Sequence, residues 1–336
     1  MNHFRYVFNR ILQMIPTLLG VSLLTFSLAY IVPGDPARLA AGPQATQEMY
    51  EQIRREYGYD DPIWQQFWGY LVNLVQGDWG SSVLTRRPVL DDLLTYWPAT
   101  FELVMLAMFI ATAVGMPLGI ISAVKADRLA DHASRIISLI GVSMPVFWMA
   151  ILLQLFFGLQ LGWLPIGGRL PTLMAPPESI TGLYLIDSLL TGKWDIFFQA
   201  LKNIALPAIT LSFASLATVA RFTRASMLDV LNNDYVRTAR AKGLRERAVI
   251  LRHVMRNALI PTITMIGLSF GWAMGGSVLV ETVFDWPGIG LYATKSAMTL
   301  DFMPIMGIAL LYAIVFSFIN IIVDIAYAFL DPRVSR

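Results

Sequence analysis

Three polar side chains stand out in an apolar stretch near the C-terminus. Ser317, Asn320 and Asp324 are three and four residues apart, which places them on one face of a helix. An ionisable residue inside a membrane is costly and is by default functional, so this stripe could bind substrate or relay protons. The structural alternative is a set of hydrogen bonds to neighbouring helices inside a bundle.

Side chains suited to catalysis are scarce in the rest of the sequence. The chain has no Cys and only three His. It contains no G-x-x-x-x-G-K-[ST] phosphate loop, no H-E-x-x-H motif and no G-x-S-x-G nucleophile elbow. An intramembrane aspartyl protease would need a second Asp at the depth of Asp324, and none is evident. We therefore expect a non-catalytic chain without a cofactor or metal of its own, and without nucleic-acid binding.

The composition indicates the elements that carry these residues. The 336-residue chain is 56% hydrophobic and only 14% charged, against about 25% charged residues in soluble domains. Six stretches approach the ~20 apolar residues that a membrane-spanning helix requires. They cover residues 11–32, 99–124, 136–161, 205–220, 258–280 and 304–330. The sequence predicts an all-α integral membrane protein whose first span is a retained anchor rather than a signal peptide.

The basic residues predict the orientation of these spans. Most Lys and Arg fall on the cytoplasmic side if both termini are cytoplasmic. This orientation divides the chain into three regions. Residues 1–32 form the N-terminal tail and first span, residues 33–98 a long extracytoplasmic loop, and residues 99–336 a five-span core that includes a cytoplasmic loop at 221–257.

The extracytoplasmic loop contains an amphiphilic run at residues 62–75. Its apolar residues recur at helical spacing, and Trp side chains suit the headgroup region of a bilayer. We predict a helix at the membrane surface. It could simply pack on the outer face of the bundle or serve as a docking surface for a partner.

The fifth span carries a repeated small-residue motif. Gly267, Gly271 and Gly275 are four residues apart and form two overlapping GxxxG motifs on one face. Glycine at such positions allows two helix backbones to approach closely. The face could pack within the chain, or it could lie at a subunit interface that borders a pathway.

A basic segment between the fourth and fifth spans, "DYVRTARAKGLRERAVILRHVMRNALIP", carries the most informative local signals. Asp234 is expected to be the N-cap of a short helix over residues 235–242. Gly243 is expected to end this helix in a left-handed conformation, and a second helix begins near Arg245.

The short helix requires a partner surface, because about eight residues do not form a stable helix alone in water. One narrow face with a small residue at its centre is expected from Tyr235, Thr238, Ala239 and Lys242. Such a face suits insertion into a groove of another protein. A basic loop resting on anionic lipid headgroups is the alternative.

These residues resemble the EAA loop of ABC-importer permeases, in the form found in the dipeptide/oligopeptide/nickel branch. The segments "RTARAKG" and "LRHVMRNALIP" carry the resemblance. Further matching blocks are "VPGDPAR", "QGDWGSSV", "ETVFDWPGIG" and "VDIAYAFLDPR", so that the similarity covers nearly the whole chain. The long loop after the first span is similar to that of the first of two paired permeases. The chain has Arg237-Thr238-Ala239 where the general pattern has Glu-Ala-Ala, and Met255-Arg256 where it has Leu-Pro, whereas Ala239 and Gly243 match the pattern.

The resemblance implies a type I ABC-importer permease fold in a bacterial or archaeal cytoplasmic membrane. It implies a heterodimer with a second, homologous permease, two cytoplasmic ATPase subunits that bind ATP and Mg, and an extracytoplasmic substrate-binding protein. Residues from Asp234 to about Lys242, ending at Gly243, would be the coupling helix that docks on an ATPase.

The substrate that the resemblance implies is a small peptide. Nickel, oligosaccharides and glutathione are alternatives within the same branch. A proton-driven secondary transporter with Asp324 as relay, and a membrane enzyme, are alternatives from other classes.

Overall fold

A computed structural model describes residues 3–31, 38, 45–56 and 60–330 of the chain. The helices in this part are α1 (His3–Ile31), α2 (Gln47–Glu56), α3 (Ile63–Gln76), α4 (Val89–Val124), α5 (Leu129–Ser143), α6 (Val146–Gln160), α7 (Tyr184–Leu190), α8 (Trp194–Leu231), α9 (Asp234–Ala241), α10 (Glu246–Val283), α11 (Ile289–Met298) and α12 (Phe302–Leu330). The described residues form no β-strand beyond one isolated bridge between Ser81 and Pro88. The all-α fold is confirmed.

Five helices are long and apolar enough to cross a membrane, namely α1, α4, α8, α10 and α12. The pair α5 and α6 gives a sixth span if it is counted as one. The six expected segments therefore all correspond to helices of the structure.

The third expected span is not one straight helix. Its two parts, α5 and α6, meet at an angle of 104°. Met144 at the junction is extended, with φ −85° and ψ 127°. Pro145 follows it, and a proline both lacks an N–H and disfavours the helical conformation of the preceding residue. The prediction of a continuous helix over 136–161 is therefore wrong.

The fourth span is much longer than the 16-residue apolar stretch at 205–220 suggested. Helix α8 has 38 residues and is about 57 Å long at 1.5 Å per residue. Pro207 lies inside it without ending it. The sequence did not indicate the full length of α8, because polar residues lie at both of its ends. Hydropathy detects only the part of a helix that would be surrounded by lipid.

Helices α4 and α8 form the centre of the bundle with their backbones in direct contact. A Cβ atom on Gly115 would lie 2.7 Å from the carbonyl oxygen of Leu216, and one on Gly119 would lie 2.5 Å from that of Ala220. Neither position could carry a side chain without separating the helices. The two glycines therefore determine the spacing of this helix pair.

The bundle has two distinct ends. One, the α9 end, has an apolar cluster that includes Ala123 at the end of α4 and Met227 near the end of α8. The other, the α11 end, has a cluster that includes Val89 at the start of α4 and Ile289 at the start of α11. Because α4 runs from one cluster to the other, the two ends lie on opposite sides of the bundle.

A buried carboxylate organises the α11 end. Glu281 accepts hydrogen bonds from the backbone N–H groups of Gly290 (2.6 Å) and Leu291 (3.0 Å) and from the hydroxyl of Thr100 (2.8 Å). The two N–H groups belong to the first turn of α11, where a helix has no internal partner for them. Glu281 thus joins α10, α11 and α4, which gives the segment "ETVFDWPGIG" a structural role.

Candidate functional site

Helix α9 begins one residue earlier than expected, and its N-cap residue is Asn233 rather than Asp234. Asn233 has the extended backbone of an N-cap, with φ −72° and ψ 146°, although its side chain makes no capping hydrogen bond. Asp234 is the first helical residue, is almost fully exposed and lies 3.6 Å from Arg237. Asp234 is therefore not the cap, but its charge still faces the positive end of the helix dipole.

The inner face of α9 consists of Val236 and Ala239. Both are buried, and they belong to the same apolar cluster as Met227 of α8 and Val249 of α10. Ala239 was expected on a free docking face, and that prediction is wrong. Its small side chain instead lets α9 lie close to the helices of its own chain.

Tyr235 also attaches α9 to the bundle. Its hydroxyl accepts a hydrogen bond from Nδ2 of Asn257 at 2.7 Å and lies 3.4 Å from the carbonyl oxygen of His253. The Tyr235 side chain is nevertheless 41% exposed. It therefore contributes to the anchoring of α9 and remains accessible to a partner.

The outer face of α9 is polar and accessible. Thr238, Ala241 and Lys242 are exposed, as are Asp234 and Arg237. The hydroxyl of Thr238 donates a hydrogen bond to the carbonyl oxygen of Asp234, one turn earlier in the same helix. This outer face, defined by Asp234, Arg237, Thr238, Ala241 and Lys242, makes few contacts with its own chain.

Gly243 ends the helix as the sequence predicts. Its φ of +75° is in the left-handed region that glycine adopts without steric cost. Its N–H donates to the carbonyl oxygen of Arg240 at 2.9 Å. Beyond the turn, the guanidinium of Arg240 forms a bidentate pair with Glu246 (2.7 and 3.2 Å). This pair, half-exposed on both sides, closes the turn between α9 and α10.

A buried ion pair braces the same end of the bundle. Asp131 of α5 is fully buried, and Arg224 of α8 reaches both of its oxygens at 2.8 Å. Ser122 of α4 and the backbone N–H of Asp127 donate to the same carboxylate. One carboxylate therefore holds α4, α5 and α8 together beneath α9.

Sequence reasoning missed the Asp131–Arg224 pair, although a signal was present. Both residues lie at the ends of expected spans on the same side of the membrane. Arg224 was counted only among the basic residues of the cytoplasmic loop, and charge counting does not reveal which charges are paired.

The three glycines of α10 behave differently from one another. A Cβ on Gly267 would overlap Val323, and one on Gly271 would overlap the ring of Phe316, both on α12. These two glycines therefore serve packing within the chain. Gly275 is exposed and has no such neighbour within 4 Å, and Trp272 beside it is 83% exposed. Only this part of the face is open to a second subunit or to lipid.

Asp324 is paired with a cation. Arg10 of α1 reaches its two oxygens at 2.9 and 3.1 Å. Within the described residues, neither Ser317 nor Asn320 hydrogen-bonds to Asp324. The Arg10–Asp324 pair joins α12 to α1, which agrees with the alternative of polar contacts to a neighbouring helix inside the bundle. The roles of Ser317 and Asn320 stay a prediction. Residues on one helix face do not meet if each points to a different neighbour. The arginine that was missed lies over 300 positions away, where helix periodicity gives no signal.

Comparison with known proteins agrees with this architecture. A family model described as the binding-protein-dependent transport system inner membrane component matches residues 115–336. The model of the corresponding N-terminal membrane component matches residues 3–104. The first match alone covers well over half of the chain.

Curated relatives match over nearly their whole length. The chain is 45% identical to the probable D,D-dipeptide transport system permease protein DdpB of Escherichia coli, over 94% of this chain and 93% of that protein. It is 40% identical to the dipeptide transport system permease protein DppB of Alkalihalophilus pseudofirmus, over 98% of this chain and 99% of that protein. It is also 42% identical to the glutathione transport system permease protein GsiC of Escherichia coli, over 98% of each.

A solved structure supports the fold. The inward-facing MetNI methionine ABC transporter matches with a TM-score of 0.50 at 13% identity, over 69% of this chain and 93% of that chain. At this identity the likeness concerns the fold alone. The family models and the relatives identify the chain as a member of the binding-protein-dependent transport system inner membrane components, and thus as a permease subunit of an ABC importer.

Proposed function

We propose that this chain is the first of two paired permeases in an ATP-driven importer of small peptides. It forms the translocation pathway with a second, homologous permease, and a substrate-binding protein delivers the peptide. Two cytoplasmic ATPase subunits bind ATP and Mg and carry out hydrolysis, while this chain is non-catalytic. The names of the dipeptide permeases with 40–45% identity support the peptide substrate.

In this proposal α9 is the coupling helix, and its two-sided construction is the observation that carries the assignment. Val236 and Ala239 fix one side of α9 to α8 and α10. The outer face remains available to an ATPase subunit. Because the helix is attached at its base, displacement of the outer face is transmitted to the spans instead of being lost in a flexible loop.

Thr238→Trp on the outer face of α9 tests this proposal. The residue is exposed, and its hydroxyl donates a hydrogen bond within its own helix. We expect the variant to insert normally but to lose the ATPase subunits when a tagged chain is purified from the membrane. The matched control is Asn232→Trp, which is exposed but precedes α9, and should retain both ATPases. Equal recovery of the ATPases with the two variants would refute the assignment of α9.

Glutathione is a second candidate substrate, because the GsiC relatives are as similar as the dipeptide permeases. Glutathione is itself a tripeptide with one unusual linkage, so a pathway for small peptides would accommodate it. Uptake of a labelled dipeptide and of labelled glutathione by cells that depend on this transporter would separate the two. Competition by excess dipeptide but not by glutathione is the expected result.

A further inference from the structure

Helix α3 is held against α1 by one of its faces. The ring of Phe26 in α1 lies 5.3 Å from that of Phe67 and 5.8 Å from that of Tyr70, centroid to centroid. Burial raises the pKa of the Tyr70 phenol to about 12. Phe26 lies five residues before Ile31, the last described residue of α1, a distance of about 7.5 Å along a helix. The contact therefore places α3 beside the last turns of the first span, near the boundary of the hydrocarbon region.

A second face of α3 is apolar, and no described residue covers it. At 3.6 residues per turn, it contains Trp64, Trp68, Val72 and Val75. All four are exposed, and the exposed fractions of Trp64 and Trp68 are 69% and 67%. This face, the Trp64–Val75 stripe, lies next to the face that contacts α1. The remaining side of the helix carries Gln65, Asn73 and Gln76.

The Trp64–Val75 stripe lies next to an exposed apolar surface of α1. Leu23, Leu24 and Leu28 of α1, on either side of Phe26, are each more than half exposed, and α1 is one of the spanning helices. A helix attached there presents its exposed apolar side to the same medium as α1. Trp also prefers the boundary between the hydrocarbon and headgroup regions.

We propose that α3 is an interfacial anchor that lies in the plane of the bilayer, with the Trp64–Val75 stripe inserted among the lipids. The helix has no charged residue, and Asp60, Asp61 and Asp78 flank it. Acidic flanks are repelled by anionic headgroups. Insertion therefore depends on burial of apolar surface and does not require anionic lipid.

Two neighbouring thiols test the anchor. The chain has no native cysteine, so Val72→Cys and Asn73→Cys each introduce a single thiol into this subunit. Both positions are exposed, and neither variant alters Phe67 or Tyr70. The complete transporter is reconstituted in phosphatidylcholine vesicles, and a membrane-impermeant maleimide is followed on the band of this chain. Because both thiols lie on the same side of the membrane, mixed orientation does not affect their relative rates.

We expect Val72→Cys to react with the maleimide about tenfold more slowly than Asn73→Cys. Burial of a side chain of this size in lipid should lower the fraction of thiol exposed to water by about this factor. The ratio should not change in high salt or when anionic lipid is added. Equal rates would overturn the proposal.

A second measurement distinguishes lipid from a protein cover. A fluorophore at Val72→Cys should be quenched by brominated lipids, whereas the same fluorophore at Asn73→Cys should not. Protection of Val72→Cys without quenching would mean that a protein subunit covers the stripe, and would also overturn the proposal.

Discussion

Gly243 illustrates a residue whose importance is entirely conformational. A Cβ at this position would meet no atom within 4 Å, so space is not the constraint. The constraint is its φ of +75°, which costs a residue with a Cβ about 1–2 kcal/mol. Asn tolerates the left-handed region better than β-branched residues do.

Substitution of Gly243 should therefore separate backbone strain from bulk. We expect Gly243→Val to destabilise the turn by roughly 1–2 kcal/mol and to lower substrate-stimulated ATP hydrolysis of the assembled transporter. Gly243→Asn should retain most of the activity. Thermal unfolding and ATPase rates of the two purified complexes provide the measurement. A similar loss in both variants would show that glycine is required for a reason other than its φ.

At single positions, the sequence predicts the backbone conformation of a residue better than it predicts which neighbours the side chain contacts. The left-handed turn at Gly243 follows from its residue type alone. The inward position of Ala239 depends on Met227 and Val249, which local spacing does not reveal. The observed N-cap lies one position before the expected one, because Asn233 and Asp234 are both good N-cap residues. The backbone conformation of the segment that leads into the helix selects one of them.

At the scale of elements, the α10–α12 contact depends on two of the three glycines in its repeat. Val323 and Phe316 of α12 occupy the space over Gly267 and Gly271, while the space over Gly275 is open. The GxxxG pattern predicts that backbones approach closely, but it does not identify the neighbour.

Alanine substitutions should reveal this difference. We expect Gly267→Ala and Gly271→Ala to lower the stability of the purified chain by roughly 1–3 kcal/mol, since each methyl group overpacks a formed contact. Gly275→Ala is the matched control and should leave the stability of the isolated chain unchanged. Denaturation in detergent measures all three. A loss at Gly275 as large as at Gly267 would contradict the assigned neighbours.

The elements themselves are largely predictable from hydropathy, because apolar stretches of sufficient length have few alternatives to a spanning helix. The break before Pro145 is not predicted by apolar length, although the proline itself is a local signal for it. The extent of α8 and the Asp131–Arg224 pair are set by tertiary contacts. Neither can be deduced from one segment considered alone.

At the scale of the whole molecule, the two ends of the bundle differ in their loops. The α9 end carries the basic segment, and the α11 end carries the long connection between α6 and α8. The distribution of Lys and Arg predicts that the α9 end is cytoplasmic.

Thiol labelling in intact cells tests this orientation. Leu173→Cys lies in the connection between α6 and α8 and is fully exposed, so we expect it to react with an impermeant maleimide. Arg128→Cys, in the exposed loop before α5, should react only after the cells are permeabilised. The opposite pattern would place the α9 end outside the cell and would exclude its contact with cytoplasmic ATPases.

The direct backbone contact of α4 and α8 has a mechanical consequence. Where Gly115 and Gly119 meet carbonyl oxygens, the two helices have no flexible side chains between them that could deform under load. Over this contact we therefore expect the two helices to move together when α9, attached at one end of α8, is displaced. The 104° corner between α5 and α6 is then a place where the bundle can bend without separating them.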